Sequence, residues 1–246
     1  MNKFAVITIH KGCEEDLIKT YNSVCRQKEP PDLYLLIGQN LCFLNHLRKK
    51  PFIKIINNNP KDKSLWDAMN IGLNLTKDYF IIFLNSGDIF FNNKSINVIR
   101  KKINNGVKNC LIFKTNLIYK TTLFSIKKYF FYTKKYCPHP SFVRPKIKKK
   151  LFLFDSNIKL AADSLWIKKN IKEFGIKKYF TTVSTHYLGG ISSNPNYLTI
   201  THQFKLSIKE GLLELFKFLI KNISMKRIYY YKFIYFYKYK ISYFQK

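Results

Sequence analysis

A buried strand followed at once by a polar turn is the feature that most constrains the fold of this chain. Residues 79–84 read Tyr-Phe-Ile-Ile-Phe-Leu, an unbroken apolar run, and Asn85-Ser86-Gly87-Asp88 follows directly. A strand that is apolar on both faces is typical of the interior of an α/β sheet. Open α/β sheets bind ligands beyond the carboxyl ends of their strands. The sequence therefore predicts a binding site at this turn.

The rest of the chain alternates short apolar runs with helical patterns, which predicts an α/β fold. Each predicted strand is a short run of aliphatic and aromatic residues, at 4–9, 33–37, 52–56, 110–115 and 178–183. The predicted helices carry apolar residues at helical spacing, at 15–26, 41–50, 65–75, 95–102 and 162–174. Residues 117–131 are predicted to form either a pair of strands or a loop excursion. A length of 246 residues suits one catalytic domain with an appended tail.

Several motifs recur in an order that resembles a known enzyme family. The helix and strand around the turn carry Asp67-Ala68-Met69-Asn70 and then Leu84-Asn85-Ser86-Gly87-Asp88. Further matching segments are residues 20–24, His139-Pro140-Ser141, Ala161-Ala162-Asp163 before Leu165-Trp166, and Gly189-Gly190-Ile191-Ser192. This set resembles the family 2 inverting glycosyltransferases, in the branch that builds surface polysaccharide and lipopolysaccharide. The resemblance spans roughly residues 3–193 and implies a GT-A fold, a Rossmann-like mixed sheet flanked by helices.

Asp88 is the candidate metal ligand. A carboxylate held at the strand end by a glycine-containing turn suits a hard divalent cation, because Mg²⁺ and Mn²⁺ prefer oxygen ligands and share them with substrate phosphates. By resemblance, Asp88 ends the segment that stands in for the family's Asp-x-Asp motif, with Asn85 in the place of its first aspartate. The implied cofactor is Mn²⁺ or Mg²⁺.

Asp163 is the candidate catalytic base. It opens the predicted helix that carries Leu165 and Trp166, and a helix N-terminus favours the ionised form of a carboxyl group. An ordinary helix cap would show the same placement. The resemblance assigns Asp163 the role of accepting the proton of the acceptor hydroxyl.

The resemblance also implies which residues bind the two substrates. The nucleotide-sugar donor is expected to contact polar residues of the first strand, the loop before the 65–75 helix, that helix and the turn: Thr8, His10, Lys61, Asp67, Asn70, Asn85 and Ser86. The glycan or lipid-linked acceptor is expected near His139, Arg144 and His186. Glycines 189 and 190 are expected to form a flexible turn beside the site.

A formal net charge of +30 indicates attraction to polyanions or an anionic membrane surface. Lysine supplies most of this charge, and the same composition also arises from an AT-rich coding sequence. Residues 1–198 are predicted to form the catalytic domain, and residues 199–246 an amphipathic, basic and aromatic helical extension. Basic residues near an anionic leaflet and aromatic residues at headgroup level favour peripheral binding to the inner face of the cytoplasmic membrane. Packing on the catalytic domain or on a second subunit is the alternative for this extension.

The expected location is cytoplasmic. The five cysteines are scattered without a Cys-x-x-Cys pair, and the odd count fits a reducing compartment. The N-terminus lacks the pattern of a secretory signal, and no run of about 18 apolar residues is present in the sequence.

Three alternatives remain open from the sequence. The first is another nucleotide-using transferase, such as a nucleotidyltransferase, although residues 7–12 hold only one glycine for a triphosphate loop. The second is a basic nucleic-acid-binding protein, which the scarcity of arginine disfavours. The third is an inactive glycosyltransferase relative, because residues 8–11 and 38–40 differ from the family's base-binding segments.

Overall fold

A computed structural model describes residues 2–39, 41, 50–57, 64–120, 125–130, 139–147, 151–158 and 162–188. Most of the predicted helix at 41–50, the predicted ligand Lys61, the turn at 189–192 and the extension at 199–246 lie outside the described residues. Within the described part, no helix has the length and apolar character needed to cross a membrane.

Strands and helices alternate through the first half of the chain, as the sequence predicts. The strands are β1 (Phe4–His10), β2 (Leu33–Gly38), β3 (Ile53–Asn57), β4 (Phe80–Phe83), β5 (Ile89–Phe90), β6 (Cys110–Lys120), β7 (Ser125–Phe130), β8 (Phe142–Arg144) and β9 (Ile176–Leu188). The helices are α1 (Glu14–Cys25), α2 (Leu65–Leu75), α3 (Ser95–Asn104) and α4 (Ala162–Phe174). A 3₁₀ turn, His139–Ser141, leads into β8.

The nine strands of the described ranges form one mixed sheet in the order β3-β2-β1-β4-β8-β6-β9-β5, and β7 pairs with β6. The four neighbouring strands β3, β2, β1 and β4 are mutually parallel. Strand β8 is antiparallel to both of its neighbours, β4 and β6, whereas β6 and β9 are parallel. Strands β4, β6 and β9 therefore run in the same direction across the sheet.

This topology brings three separate chain segments to one edge of the sheet. The turn after β4 begins there, the antiparallel strand β8 starts there, and the last residues of β9 reach the same edge. Ile82 pairs with Val143, and Leu117 pairs with His186, which fixes the register of these strands. Asp88, His139 and His186 are thereby placed at a common carboxyl edge.

Helices cover both faces of the sheet. Alternate residues of β1 point to opposite faces, with Phe4 and Val6 in the core beneath α1 and α3, and Ala5 and Ile7 in the core beneath α2 and α4. All seven residues of β1 are buried, as expected of a strand covered on both faces.

The predicted elements are largely confirmed, and two strands were missed. Helices α2 and α4 have the predicted bounds, and residues 117–131 contain the end of β6 and the antiparallel strand β7. Strand β5 has only two residues and β8 only three, lengths that hydrophobic periodicity does not detect.

Candidate active site at the carboxyl edge of the sheet

The turn after β4 is held by α1. Gly87 has a φ of 98°, a backbone conformation that side-chain-bearing residues rarely adopt. The backbone N–H of Gly87 donates to Oγ1 of Thr20 at 3.0 Å, and that hydroxyl donates to the carbonyl of Asp88 at 2.7 Å. Thr20 thus fixes the position of Asp88. Thr20 had no predicted role, although it lies in the segment 20–24 that carries part of the resemblance.

Asp88 lies at the centre of a cluster with two histidines. Its side chain is buried, with 4% of the residue exposed. Its Oδ2 is 3.0 Å from Nε2 of His139, and its Oδ1 is 2.5 Å from Nδ1 of His186. The two imidazole rings contact edge to face, with centroids 5.4 Å apart. One strand and two turns that are distant in sequence therefore contribute one compact group of ligand atoms.

The charges of this cluster stabilise one another. Burial alone would raise the pKa of Asp88, but the charge of His186 and the hydrogen bonds from both imidazoles hold this pKa at about 2. Burial would lower the pKa of His139, but the carboxylates of Asp163 and Asp88 raise it to about 9. His139 is therefore cationic at neutral pH in the metal-free protein.

The predicted base, Asp163, lies beside the same cluster. It belongs to the first turn of α4, and its Oδ2 is 3.9 Å from Nδ1 of His139. Burial opposes its ionisation, but the contact with His139 and the backbone N–H of Ser164 lower its pKa. The side chain keeps 30% of its surface exposed, so part of it is open to solvent. The structure thus places an ionised, accessible carboxylate next to the candidate metal group.

The donor set of the cluster fits a divalent cation. Asp88, His139 and His186 each offer one ligand atom, and these atoms lie within 4.8 Å of one another. One carboxylate oxygen and two imidazole nitrogens are ligands that Mn²⁺, Fe²⁺ and Zn²⁺ accept, whereas Mg²⁺ prefers oxygen. Both histidines were predicted to lie near the acceptor. In the structure they lie against Asp88.

Three residues predicted to contact the donor lie at the same edge of the sheet. Nδ1 of His10, at the end of β1, is 3.2 Å from Oγ of Ser86. Burial lowers the pKa of His10, and the charges of the Glu14 and Asp16 carboxylates offset part of this effect. The amide oxygen of Asn85 is buried and has no hydrogen-bond partner among the described residues. Asn85 and Ser86 therefore belong to the turn that carries Asp88, and His10 lies beside this turn.

The donor contact predicted for Thr8 is not supported by its surroundings. Thr8 is completely buried, and its hydroxyl is 2.6 Å from the carbonyl oxygen of Leu84 and 3.2 Å from the hydroxyl of Tyr34. A side chain without exposed surface does not contact a donor. Thr8 instead ties β1 to the residue that follows β4.

The acceptor-side role predicted for Arg144 is also not supported by its surroundings. Strand β8 runs antiparallel to β4, so Arg144, its last residue, lies opposite Ile81 and away from the carboxyl edge. The residue is fully buried, and its guanidinium donates to the carbonyl of Thr76, 3.0 Å away, just after α2. Arg144 holds α2 to the sheet and does not face the site.

Asp67 and Asn70 lie on α2, as predicted, but their polar atoms are already engaged. The carboxylate of Asp67 accepts hydrogen bonds from the hydroxyls of Ser64 and Ser156. The side-chain amide of Asn70 exchanges two hydrogen bonds with the backbone of Phe154. The donor contact expected of Asn70 is therefore not supported by its surroundings.

Comparison with solved structures identifies the fold. A structure of S. aureus TarS 1-349 in complex with UDP matches with a TM-score of 0.60 and 16% sequence identity, over 76% of this chain and 61% of that chain. TarS 1-349 in complex with UDP-GlcNAc matches with a TM-score of 0.65 and 14% identity, over 84% of this chain and 66% of that one. A structure of S. aureus TarS matches with a TM-score of 0.61 over 76% of this chain and 37% of that one.

These matches and the mixed α/β sheet show that the chain has the GT-A glycosyltransferase fold, which confirms the predicted fold class. The chain spans about three fifths of the first of these structures, which has 61% of its length covered. A scan of the sequence against protein-family models found no match, and a search of curated proteins found none either.

Proposed function

We propose that this protein is a metal-dependent inverting glycosyltransferase that transfers one sugar from a nucleotide-sugar donor to a glycan or lipid-linked acceptor. The observation that carries the proposal is the group formed by Asp88, His139, His186 and Asp163 at the carboxyl edge of a GT-A sheet. This group combines a cation-binding set with an ionised carboxylate beside it. A glycosyl transfer needs both, one for the leaving diphosphate and one for the acceptor proton.

Asp88, His139 and His186 would hold the cation. Mn²⁺ is the ion that we propose first for this donor set. When bound, the cation neutralises the charge that develops on the departing diphosphate. His139 faces Asp88 with Nε2 and Asp163 with Nδ1. A ligand imidazole commonly directs its second N–H at a carboxylate, which fixes the tautomer and the ring orientation. His139 therefore links the cation set to the base.

Asp163 acts as the general base. It accepts the proton of the acceptor hydroxyl while that oxygen forms a bond to the anomeric carbon of the sugar. The bond from this carbon to the diphosphate oxygen breaks, and its electron pair leaves with the diphosphate. A single displacement of this kind inverts the configuration at the anomeric carbon.

UDP-sugars are the first donors to test, because TarS 1-349 is known in complex with UDP and with UDP-GlcNAc. The acceptor class that we propose is a growing surface polysaccharide or lipopolysaccharide at the inner face of the cytoplasmic membrane. The basic and aromatic sequence at 199–246 supports peripheral binding to anionic lipid at that face. Self-association through the same segment is the other arrangement that its amphipathic pattern favours.

The test is calorimetric binding of UDP, GDP, CMP and dTDP with Mn²⁺ and with chelator. Asp88→Ala is compared with Asp78→Ala, because Asp78 is an exposed aspartate before β4. We expect one nucleotide to bind only with metal, and Asp88→Ala to lose this binding while Asp78→Ala retains it. Absence of binding to every nucleotide would overturn the proposal. Binding to nucleic acid that weakens steeply with salt and ignores Asp88→Ala would favour the nucleic-acid alternative.

A further inference from the structure

The segment of residues 151–158 crosses α2 and α4 next to the candidate site, and it is called the crossing segment below. Its backbone is joined to α2 through Asn70. Nδ2 of Asn70 donates to the carbonyl of Phe154 at 3.0 Å, and the N–H of Phe154 donates to Oδ1 of Asn70 at 2.8 Å. This reciprocal pair copies the exchange of two hydrogen bonds between antiparallel strands. One side chain thus holds both backbone groups of one residue.

A second contact of the same kind lies one helical turn away. Asp67 precedes Asn70 by three positions, so both side chains lie on one face of α2. Oδ1 of Asp67 accepts a hydrogen bond from Oγ of Ser156 at 2.6 Å. Its other oxygen accepts from Ser64, and these hydroxyls lower the pKa of Asp67, against a small opposing effect of burial. The crossing segment is therefore bound to α2 at two of its residues.

The same segment is fixed to α4 by aromatic contacts. Phe154 is buried and stacks on Trp166, with ring centroids 4.9 Å apart and planes 20° apart. The indole N–H of Trp166 donates to the carbonyl of Phe152 at 2.8 Å. Trp166 follows Asp163 by three positions on α4, so both side chains lie on adjoining parts of one helical face.

Phe154 also contacts the end of β4. Its ring lies edge to face against Phe83, with centroids 5.7 Å apart, and it stacks on Trp66 of α2 at 5.6 Å. Phe83 is the last residue of β4 and lies five positions before Asp88. One buried ring is therefore in contact with α2, with α4 and with the strand that precedes the turn of the candidate metal ligand.

We propose that Asn70, assisted by Asp67, is a positioning residue for Asp163 and not a donor-binding residue. It holds Phe154 in place, and Phe154 in turn sets the position of α4 through Trp166. This inference rests on the proposed function, because it assigns Asn70 to the placement of the base in that reaction. An asparagine suits this position, since its amide offers a donor and an acceptor on separate atoms for the carbonyl and the N–H of Phe154.

The test compares Asn70→Ala and Asn70→Asp with Asn74→Ala, because Asn74 is an exposed asparagine one turn further along α2. Asn70→Asp keeps the shape but places a carboxylate oxygen against the carbonyl of Phe154. We expect both Asn70 variants to lower kcat at least tenfold with less than a twofold change in the donor KM and in UDP affinity. Asn74→Ala is expected to match the wild type.

Two further readouts separate positioning from general damage to the fold. Amide hydrogen exchange in residues 151–158 is expected to accelerate in the Asn70 variants and not in Asn74→Ala. In the background of Asp163→Asn, Asn70→Ala is expected to lower the residual rate no further, because both changes act through the same carboxylate. A tenfold loss of UDP affinity with unchanged exchange would overturn the inference, and so would accelerated exchange with unchanged kcat.

Failure of the proposed function would be seen in the wild type, which would then bind no nucleotide and transfer no sugar. Failure of this inference is seen only in the comparison of the Asn70 variants with Asn74→Ala. If the wild type proves inactive, the role of Asn70 in placing a base is overturned as well. The exchange data then show only whether the two hydrogen bonds between Asn70 and Phe154 hold the crossing segment in place.

Discussion

Nδ1 of His186 lies 2.5 Å from Oδ1 of Asp88, although 98 residues separate them in the chain. The contact follows from the parallel arrangement of β4, β6 and β9, because β9 ends at the edge where the turn after β4 begins. Taken alone, Asp88 or His186 is explained as an ordinary structural residue that binds no ligand. Together with His139 they form a group of three ligand atoms within 4.8 Å, which gives the site its chemical character.

Asp163→Asn is expected to reduce transfer at least a hundredfold and to leave nucleotide binding within twofold of the wild type. The amide retains the shape of the side chain but does not accept the acceptor proton, and general-base catalysis typically contributes a factor of about 10²–10⁴. Turnover of the donor and calorimetric binding of UDP are the two measurements.

The matched control is Glu173→Gln, which neutralises an exposed carboxylate near the other end of α4. It should leave both quantities unchanged. If Asp163→Asn abolished UDP binding as well, Asp163 would be assigned to the structure of the site and not to proton transfer.

The metal-free protein is expected to be most stable between about pH 4 and 6.5. The pKa of His139 is raised from 6.5 to about 9, so its contribution is complete below 6.5 and is lost as the pH rises to 9. The pKa of Asp88 is lowered from 3.8 to about 2, so its contribution is complete above 3.8 and is lost as the pH falls to 2. The free energy of unfolding should fall by about 1–3 kcal/mol between pH 6.5 and 9.

Urea unfolding in the presence of chelator, at a series of pH values, measures this dependence. His139→Gln removes the titrating imidazole, so the fall above pH 6.5 should be weaker in the variant than in the wild type. Equal slopes in the two proteins would show that the pKa of His139 is not raised by Asp88 and Asp163.

The sequence was sufficient to predict the fold class and the position of Asp88 in the turn after β4. The apolar run at 79–84 and the turn that ends in Asp88 are local features. A run that is apolar on both faces indicates an interior strand of an α/β sheet, and the turn that follows such a strand lies at the carboxyl edge. The same holds for Asp163, whose position at the start of α4 is set by the helix pattern. His139 and His186 were recognised as residues of the site, but the resemblance assigned them to the acceptor.

The remaining features depend on pairing between distant segments. Strand β8 has three residues and is inserted antiparallel between β4 and β6. This insertion turns His139 toward Asp88 and places Arg144 at the other edge. The engagement of Asn70 likewise depends on Phe154, which is 84 residues away. Such contacts leave no periodic signal in a single sequence, because they are set by the sheet order.

Arg144→Met is expected to leave UDP binding unchanged and to stabilise the protein by about 1–3 kcal/mol. Nε and Nη1 of Arg144 are buried without a hydrogen-bond partner among the described residues, so a charged group is desolvated with little compensation. Replacing a buried charge by an apolar side chain of similar volume is often neutral or stabilising. Urea unfolding measures the change.

Arg26→Met serves as the control, because Arg26 is an exposed arginine after α1. Its free energy of unfolding should stay within about 0.5 kcal/mol of the wild type. A marked loss of stability in Arg144→Met would show that the bond to Thr76 outweighs the cost of burying the guanidinium. A loss of acceptor binding with unchanged UDP binding would restore the acceptor-side role.

The two imidazoles of the cluster predict a preference among cations. Nitrogen ligands favour Mn²⁺ and Zn²⁺ over Mg²⁺, which prefers oxygen and retains its waters. At a concentration of Mn²⁺ one hundred times its Kd, ligand linkage should raise the free energy of unfolding by about 2.7 kcal/mol, and chelator should reverse the change. Mg²⁺ at the same concentration should have a much smaller effect.

His186→Asn should lose most of the Mn²⁺ effect because it removes one nitrogen ligand. Equal stabilisation by Mg²⁺ and Mn²⁺, unaffected by His186→Asn, would mean that the cation is held by oxygen atoms alone and that the histidines serve only to orient Asp88.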